Sequence, residues 1–309
     1  MDTPHTPVLL KEVIDSFKDI KSGYFVDCTL GYAGHSKAIL EEFNYIKHIG
    51  IDRDSEALNF SKKRLEEFKD RTTFYKGTFA SILPTLKESP IVGILADFGV
   101  SSLQLDKKDR GFSFDSNNLD MRMDTTAPLN AYDVVNSYSR ERLEYILNHY
   151  GEVRLYKKVA SAIINARAKE PIKSARELST IISKVVPRGG KIHPATLAFQ
   201  GIRIEVNSEL AEIENLLDSL EKKAKNGELK GAIVSLITFH SLEDRLVKNR
   251  YKKWIKSCIC DPHAIRCNCG KNHELGKMLV RKPITASKDE LKINARSRSA
   301  KLRTFIFKS

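Results

Sequence analysis

Residues 24–35 constrain the fold more than any other part of the chain. The apolar run 24–26 leads through Asp27 into a turn of small residues at 31–34, and a helical alternation of apolar and polar residues follows at 37–43. A strand, a glycine turn and a helix form the first unit of a nucleotide-binding α/β sheet. Glycines allow the backbone to approach a ligand closely, and the N-terminus of the helix offers amide donors to it.

A second predicted strand, residues 45–51, leads into the acid Asp52. A carboxylate at the tip of the second strand accepts hydrogen bonds from both ribose hydroxyls of an adenosine, and such acids follow the glycine turn by about 20 residues. The turn and Asp52 together indicate an adenosine cofactor. The turn alone has a simpler interpretation, which is a tight strand–helix connection that binds nothing.

The fourth predicted strand, residues 91–97, is apolar and ends at Asp97. The ligand crevice of an open α/β sheet lies outside the carboxyl ends of the strands, so Asp97 is expected beside the cofactor. The alternative is an acid that caps the next turn. Phe79 follows the third predicted strand, 73–75, at a position where an aromatic ring either packs on an adenine or belongs to the core.

More than a hundred residues separate Asp97 from the next comparable strand, 231–239, although a crossover between parallel strands needs only about a dozen. The sequence therefore predicts an inserted domain over residues 106–228, between two parts, 1–105 and 229–309, of one α/β sheet domain. Periodicity indicates further elements. These are helices at 140–149, 155–167, 174–186 and 210–220, and strands at 278–284 and 302–307.

His240 follows the strand 231–239 and is expected to act as an acid/base group or as a ring on which a base stacks. A Ser–His hydrolase fits poorly, because Ser241 is adjacent to His240 and no nucleophile-elbow pattern is present. Residues 110–124 are rich in Arg, Asp, Met and aromatic side chains. Such a loop is either a substrate lid or a domain connection held by Arg–Asp pairs.

The formal net charge of +13 favours a polyanionic partner such as RNA, because a basic protein gains affinity by releasing counterions from phosphates. A lysine-rich solvated surface is the alternative. The run that contains Arg296, Arg298, Lys301 and Arg303 either holds phosphates or forms a solvated loop. The chain has no apolar run of ~18 residues and no leader-like N-terminus, so a cytoplasmic protein that binds no membrane is expected.

Four of the five cysteines, Cys258, Cys260, Cys267 and Cys269, lie within a dozen residues. Four thiolates can close a tetrahedral zinc site, with His263 and His273 as alternative ligands. However, the single residue within each pair is tighter than the spacing of most zinc ribbons. The sequence thus favours a surface loop with free thiols, and no metal ligand is assigned. The fifth cysteine, Cys28, is expected to be a small buried side chain.

Many longer motifs stand in the order found in the RsmH (MraW) family of bacterial 16S rRNA cytosine-N4 methyltransferases, and the sequence resembles that family over nearly its whole length. The motifs are His5-x-Pro7-Val8-Leu9-Leu10, Asp27-x-Thr29-Leu30-Gly31, Gly34-His35-Ser36, Asp52-Arg53-Asp54, Gly99-Val100-Ser101-Ser102, Arg110-Gly111-Phe112-Ser113-Phe114, Leu119-Asp120-Met121-Arg122-Met123-Asp124, Tyr150-Gly151-Glu152, His193-Pro194-Ala195-Thr196, Phe199-Gln200 and Phe239-His240-Ser241-Leu242-Glu243-Asp244-Arg245.

The resemblance implies a Rossmann-like, S-adenosylmethionine-dependent methyltransferase sheet with an inserted helical substrate domain. It also implies methylation of the exocyclic amine of one cytidine in the decoding region, so the expected partner is 16S rRNA or the small ribosomal subunit. The oligomeric state is left open, and a homodimer is compatible with the sequence. The cofactor contacts carried over by matching motif are Ala33, Gly34, His35, Asp52, Phe79, Asp97 and Gln104.

The amine of cytosine is a poor nucleophile, so the reaction needs an acceptor for its hydrogens. Asp97 is the first candidate, with His240 and Asp244 behind it. Two rival functions remain. A nicotinamide oxidoreductase is disfavoured because the turn lacks G-x-G-x-x-G, and a non-catalytic RNA-binding assembly factor would keep the fold without turnover.

The chain departs from the usual family pattern at Ala33, Phe98 and Gly201. Ala33 stands where the family has glycine. If the backbone there has φ > 0, the methyl group costs ~1 kcal/mol or more and weakens cofactor binding without abolishing the site.

Overall fold

The computed structural model describes residues 6–100, 107, 109–187, 193–261, 263 and 266–309. The chain forms two compact units. The first combines Met1–Gly99 with Ala211–Ser309, and the second is Val100–Leu210.

Seven strands form a single sheet in the described part of the first unit, in the order β3-β2-β1-β4-β5-β7-β6. The first five of these are parallel, whereas β7 runs antiparallel to both β5 and β6. The order 3-2-1-4-5 is that of a Rossmann-like sheet, so the predicted α/β fold class is confirmed. The strands are β1 (Gly23–Asp27), β2 (Ile46–Asp52), β3 (Thr72–Lys76), β4 (Ile91–Asp97), β5 (Ile233–Thr238), β6 (Gly276–Met278) and β7 (Lys301–Phe307).

Helices flank these strands and build most of the second unit. Polar N-caps open several of them: Ser174 accepts the Glu177 amide at the start of the helix predicted at 174–186, and Asp54 accepts the Glu56 amide. In chain order the described α-helices are α1 (Leu10–Ser16), α2 (Gly34–Glu42), α3 (Ser55–Arg64), α4 (Phe79–Ile82), α5 (Ala131–Ser137), α6 (Arg140–His149), α7 (Tyr156–Arg167), α8 (Ala175–Val185), α9 (Thr196–Asn207), α10 (Glu209–Lys225), α11 (Ser241–Trp254) and α12 (Lys288–Ile293).

Helix α10 packs on the sheet, although the sequence assigned it to the insert. Its apolar face, Ile213, Leu216, Leu217 and Leu220, lies in one buried cluster with core residues of β1, β4, β5 and β7. An amphipathic helix is stabilised by whichever apolar surface it covers, and helical periodicity alone does not identify that surface. The insert therefore ends at Leu210 in the structure, not at residue 228.

The loop before α5 is held by polar side chains within the second unit. Arg122 forms an ion pair with Asp120 at 2.7 Å and donates to the Ala127 carbonyl oxygen at 2.7 Å. The buried amide of Asn207 accepts from the Met123 amide at 2.7 Å and donates to the Met121 carbonyl oxygen at 2.8 Å. The pair of Arg122 and Asp120 is of the kind expected for a connection held by Arg–Asp pairs, and the alternative of a substrate lid stays a prediction.

The sheet ends differently from the prediction at its antiparallel edge. Strand β7 occupies the predicted position, but its partner β6 lies at residues 276–278. Of the predicted strand 278–284, Met278 pairs with Phe305 at the end of β6, and Ile284 forms an isolated bridge to Leu302. No helix in the described residues is both long and apolar enough to span a membrane.

Candidate functional site: the crevice between β1 and β4

The chain leaves β1 towards β2 and later returns to β4 on the opposite side, so β1 and β4 flank a topological switch point. The Cys28 amide continues the ladder to Leu95 at 2.8 Å, and the Asp97 amide donates to Thr29 Oγ1 at 2.6 Å. Ligands of open α/β sheets bind in the crevice at this point. Asp27 and Asp97 end the two strands that border it.

The turn after β1 has the left-handed backbone that glycine favours. Gly31 has φ 51° and Ala33 has φ 57°, so the condition for strain at Ala33 is met. Ala33 is fully buried in a cluster that includes Leu30 and Leu40, so its methyl group packs in the core. A Cβ added to Gly34 would lie 2.5 Å from the Pro7 ring, which leaves no space for a side chain.

Asp52 closes this turn from the end of β2. Its Oδ2 accepts the Gly31 amide at 2.7 Å, and its Oδ1 accepts the Asp54 amide at 2.8 Å. Burial raises the pKa of Asp52 to about 6, although both amides oppose that rise. The side chain keeps partial exposure, and a carboxylate has about four acceptor positions. Acceptor capacity therefore remains for a diol such as a ribose.

Asp97 occupies the corresponding position on β4. Its Oδ1 accepts the Gly99 amide at 3.1 Å. Burial raises its pKa to about 6; the charge of His35 and the Gly99 amide lower it, and the carboxylates of Asp27 and Glu243 add to the rise. Asp97 is therefore a stronger base than an ordinary aspartate and is still ionised near neutral pH.

Sequence reasoning missed a buried network behind the turn. Ser36 Oγ donates to Asp27 Oδ2 at 2.6 Å and lies 2.8 Å from His48 Nε2. Because the single hydroxyl hydrogen goes to Asp27, His48 Nε2 carries the hydrogen that the serine oxygen accepts. Burial lowers the pKa of His48 to about 3, so the ring is neutral. The sequence did offer a signal for Asp27, because this acid ends a strand in the same way as Asp52 and Asp97.

His240 and Asp244 lie at the start of α11, which follows β5. His240 Nε2 is 3.1 Å from Glu243 Oε1, and Glu243 is fully buried. The Asp244 carboxylate accepts from Arg303 at 2.7 and 3.2 Å. Burial opposes ionisation of Asp244, but Arg303 and Lys301 outweigh it and lower the pKa of Asp244 below its usual range. The Asp244 carboxylate is therefore held in an ion pair that joins helix α11 to strand β7.

Three predicted site residues remain: His35, Phe79 and Gln104. His35 Nε2 lies 2.8 Å from the Val8 carbonyl oxygen and connects α2 to the chain before α1. Phe79 is buried in the core, with its ring centroid 5.9 Å from that of Phe98. Gln104 lies outside the described residues. The structure brings the turn, Asp52 and Asp97 to the carboxyl end of the parallel strands.

A Rossmann-like sheet with a left-handed turn at its switch point and half-buried acids at the ends of β2 and β4 defines the class: a Rossmann-like α/β domain whose sequence is interrupted by a helical unit. Comparison with known proteins then narrows this class. The model of the MraW methylase family matches residues 2–308, and the chain belongs to that family.

Its relatives cover the whole chain. It is 70% identical over 309 residues to "Ribosomal RNA small subunit methyltransferase H" of Sulfurovum sp. (strain NBC37-1), covering 100% of this chain and 99% of that protein. It is 55% identical to the protein of the same name from Wolinella succinogenes, covering 100% of both. Among solved structures, precorrin-6y C5,15-methyltransferase from Geobacter metallireducens matches with a TM-score of 0.43 and 8% identity, over 97% of this chain and 88% of that one.

Proposed function

We propose that this protein transfers a methyl group from S-adenosylmethionine to the exocyclic N4 amine of a cytidine in the decoding region of 16S rRNA. The family and the names of the relatives support methylation of small-subunit rRNA. The observation that supports this cofactor is Asp52, a half-buried residue at the tip of β2 whose carboxylate is positioned by two backbone amides. The choice of N4 and of the decoding region rests on the resemblance of the sequence motifs.

The residues at the crevice fit this cofactor. Asp52 would accept hydrogen bonds from the ribose hydroxyls, and the backbone of Ala33 and Gly34 would border the cofactor at the N-terminus of α2. Phe79 would contribute an apolar wall, and Gln104 would add a further contact, as the family motif implies. When bound, S-adenosylmethionine supplies a methyl group on a strongly electrophilic sulfonium.

Asp97 would accept the proton that the amine loses. The cytosine amine is conjugated with its ring, so the nitrogen becomes acidic only as the new bond to carbon forms. A base with a pKa of about 6 is ionised at pH 7.5 and accepts that proton more readily than an ordinary aspartate. Alignment of the amine with the methyl group would supply roughly 7–11 kcal/mol of the reduction in the barrier. His240, two residues after β5, would border the target base.

RNA would be held mainly through its phosphates. The net charge of +13 favours such binding, and the target base must leave its stack to reach a crevice at the carboxyl ends of the parallel strands. Arg303 is excluded from phosphate contact, because it is buried against Asp244. Arg298 of the same basic run is exposed. We assign the inserted unit to substrate recognition, as the resemblance implies.

The test is transfer of labelled methyl groups from S-adenosylmethionine to small-subunit particles and to protein-free 16S rRNA, followed by nucleoside analysis. The proposal predicts N4-methylcytidine at one position in the decoding region. Methyl groups on another atom or position would overturn the N4 assignment. Cofactor binding without transfer to either substrate would favour the alternative, a non-catalytic assembly factor that has kept the fold.

A further inference from the structure

The connection from α11 to β6, residues 255–275, contains no helix or strand among its described residues. Its two ends are nevertheless paired: the Leu275 amide donates to the Trp254 carbonyl oxygen at 2.7 Å, and the His273 amide donates to that of Ser257 at 3.0 Å. Connections this long without secondary structure are uncommon in compact domains unless they have a function. Ile259 is 66% exposed, so this side chain provides no apolar core. Burial of Ile259 therefore does not order the connection.

The four cysteines of this connection converge at its tip. Cys267 Sγ lies 3.6 Å from Cys258 Sγ, 3.9 Å from Cys260 Sγ and 3.5 Å from Cys269 Sγ, and Cys269 Sγ lies 3.6 Å from Cys258 Sγ. All four sulfurs lie within 4.8 Å of one another. A disulfide needs about 2.05 Å, so none of these pairs is bonded. A tetrahedron with four Zn–S bonds of about 2.3 Å places its sulfurs about 3.8 Å apart.

We propose that Cys258, Cys260, Cys267 and Cys269 bind one zinc ion as four thiolates, in a structural site separate from the methyl-transfer crevice. The observed separations are those of the edges of a tetrahedron of four sulfurs around zinc. Soft thiolate ligands in tetrahedral geometry select zinc. Four protein ligands leave no open position for substrate or water, so this ion holds the connection together and takes no part in methyl transfer.

The tight C-x-C spacing had favoured free thiols, and the structure explains why it permits a site. Three of the short distances join cysteines of different pairs: Cys267 lies close to both Cys258 and Cys260, and Cys269 lies close to Cys258. The two pairs therefore face each other and contribute two sulfurs each. The spacing within a pair matters less than the turn that brings the pairs together.

Backbone amides support the thiolates as they do around metal sites. The amides of Ile259 and Lys271 hydrogen-bond to the Cys269 sulfur. Gly270 (φ 80°) and Lys271 (φ 54°) both have left-handed backbone, which turns the Lys271 amide back towards the sulfur. The Cys260 amide hydrogen-bonds to the Cys258 sulfur in the same way.

Histidine is not required to complete the ligand set. His273 Nε2 lies 2.8 Å from the Cys269 carbonyl oxygen, so this ring nitrogen holds the backbone of a ligand. Among the described residues, the converging group of potential ligand atoms here contains four sulfurs and no imidazole. His273 is thus a positioning residue for Cys269, and the proposed site consists of four cysteines.

The test begins with the full-length chain purified under reducing conditions without chelators. Elemental analysis should give about one zinc per chain, and X-ray absorption should give four sulfur ligands at about 2.3 Å. The double variant Cys260→Ser/Cys267→Ser should lose the metal. Cys28→Ala and His263→Ala, which remove a cysteine and a histidine outside the proposed set, should keep it.

Hydrogen exchange at the amides of Ile259 and Lys271 gives a readout independent of activity. Removing zinc from the wild-type chain with a chelator, under reducing conditions, should speed exchange at these amides and leave β1 and β4 unchanged. Metal-free protein with four alkylatable thiols, two disulfides found by mass spectrometry, or zinc retained in the double variant would each overturn the proposal.

Discussion

Asp52 Oδ2 accepts the backbone amide of Gly31 at 2.7 Å, so the acid that would bind a ribose also fixes the turn that would border the cofactor. Ser61 Oγ holds the same turn from the other side, by donating to the Gly31 carbonyl oxygen at 2.8 Å. The two residues share the role of holding the turn, but only Asp52 offers a carboxylate to a ligand. They therefore form a matched pair for separating turn geometry from direct binding.

Asp52→Ala should weaken S-adenosylmethionine binding about ten- to a hundredfold, because hydrogen bonds to a charged group contribute about 1.5–3 kcal/mol. Ser61→Ala, which loosens the turn but keeps the acid, should weaken binding much less. Isothermal titration calorimetry measures both affinities. Equal losses in the two variants would mean that Asp52 acts only through the turn, and an unchanged affinity for Asp52→Ala would remove the ribose assignment.

Cofactor affinity should fall as the pH drops through about 6, the raised pKa of Asp52. Only the ionised carboxylate accepts from two hydroxyls, so the dissociation constant should rise by up to tenfold for each pH unit below 6. Titrations at a series of pH values test this, and Asp52→Asn should remove most of the dependence.

The stability of the cofactor-free protein should change in the opposite sense. Because the folded pKa of Asp52 lies above the unfolded value near 4, the native state binds more protons between pH 4 and 6. The free energy contributed by this group to stability is therefore fully present below about pH 4 and is lost as the pH rises to about 6. If the affinity for the cofactor rose as the pH fell below 6, the assignment of the ionised Asp52 carboxylate as the ribose ligand would be wrong.

Ala33 should tolerate glycine and reject a branched side chain. Ala33→Gly removes left-handed strain of roughly 1–2 kcal/mol and also a buried methyl group that contributes ~0.8 kcal/mol, so the two effects largely cancel. Ala33→Val should destabilise by more than ~2 kcal/mol, since it combines overpacking with a β-branched residue at positive φ. Denaturant unfolding compares the variants; a stable Ala33→Val protein would show that the turn is not packed as described.

RNA binding should weaken steeply with salt, because each neutralised phosphate contributes about 0.7–0.9 to the steepness of log K against log salt. Arg298→Ala should make that slope shallower by the contribution of about one phosphate. Lys11→Ala removes the same charge from an exposed position on α1, where its side chain is 86% exposed, and should leave the slope unchanged. Equal slopes for Arg298→Ala and the wild type would exclude Arg298 from the phosphate contacts.

The sequence predicted the sheet well because buried parallel strands are continuous apolar runs. Strand β4 has the predicted bounds, and the acids Asp52 and Asp97 lie at strand ends as expected. It failed where partners are distant in sequence. The Asp27–Ser36–His48 network joins three elements, and the pairing of Asp244 with Arg303 needs the antiparallel β7 beside α11. No local pattern indicates such contacts, since they depend on strand order.

The placement of α10 failed for a related reason, and the sequence did not predict that the four cysteines converge. An amphipathic face does not specify the surface that it covers, and a spacing rule for metal ligands does not describe how two pairs face each other. In both cases the local pattern was correct, and the tertiary partner decided the outcome.

The most direct test of the catalytic assignment compares Asp97→Asn with Asp244→Asn. The Asp97→Asn side chain would keep an oxygen for the Gly99 amide and lose only the base, so cofactor binding and folding should persist while the single-turnover rate of methyl transfer falls about 10²–10⁴-fold. Asp244→Asn leaves Arg303 without its ionised partner, so it should lower stability with a smaller effect on the rate. If Asp97→Asn transferred the methyl group at the wild-type rate, Asp97 would not be the group that accepts the proton.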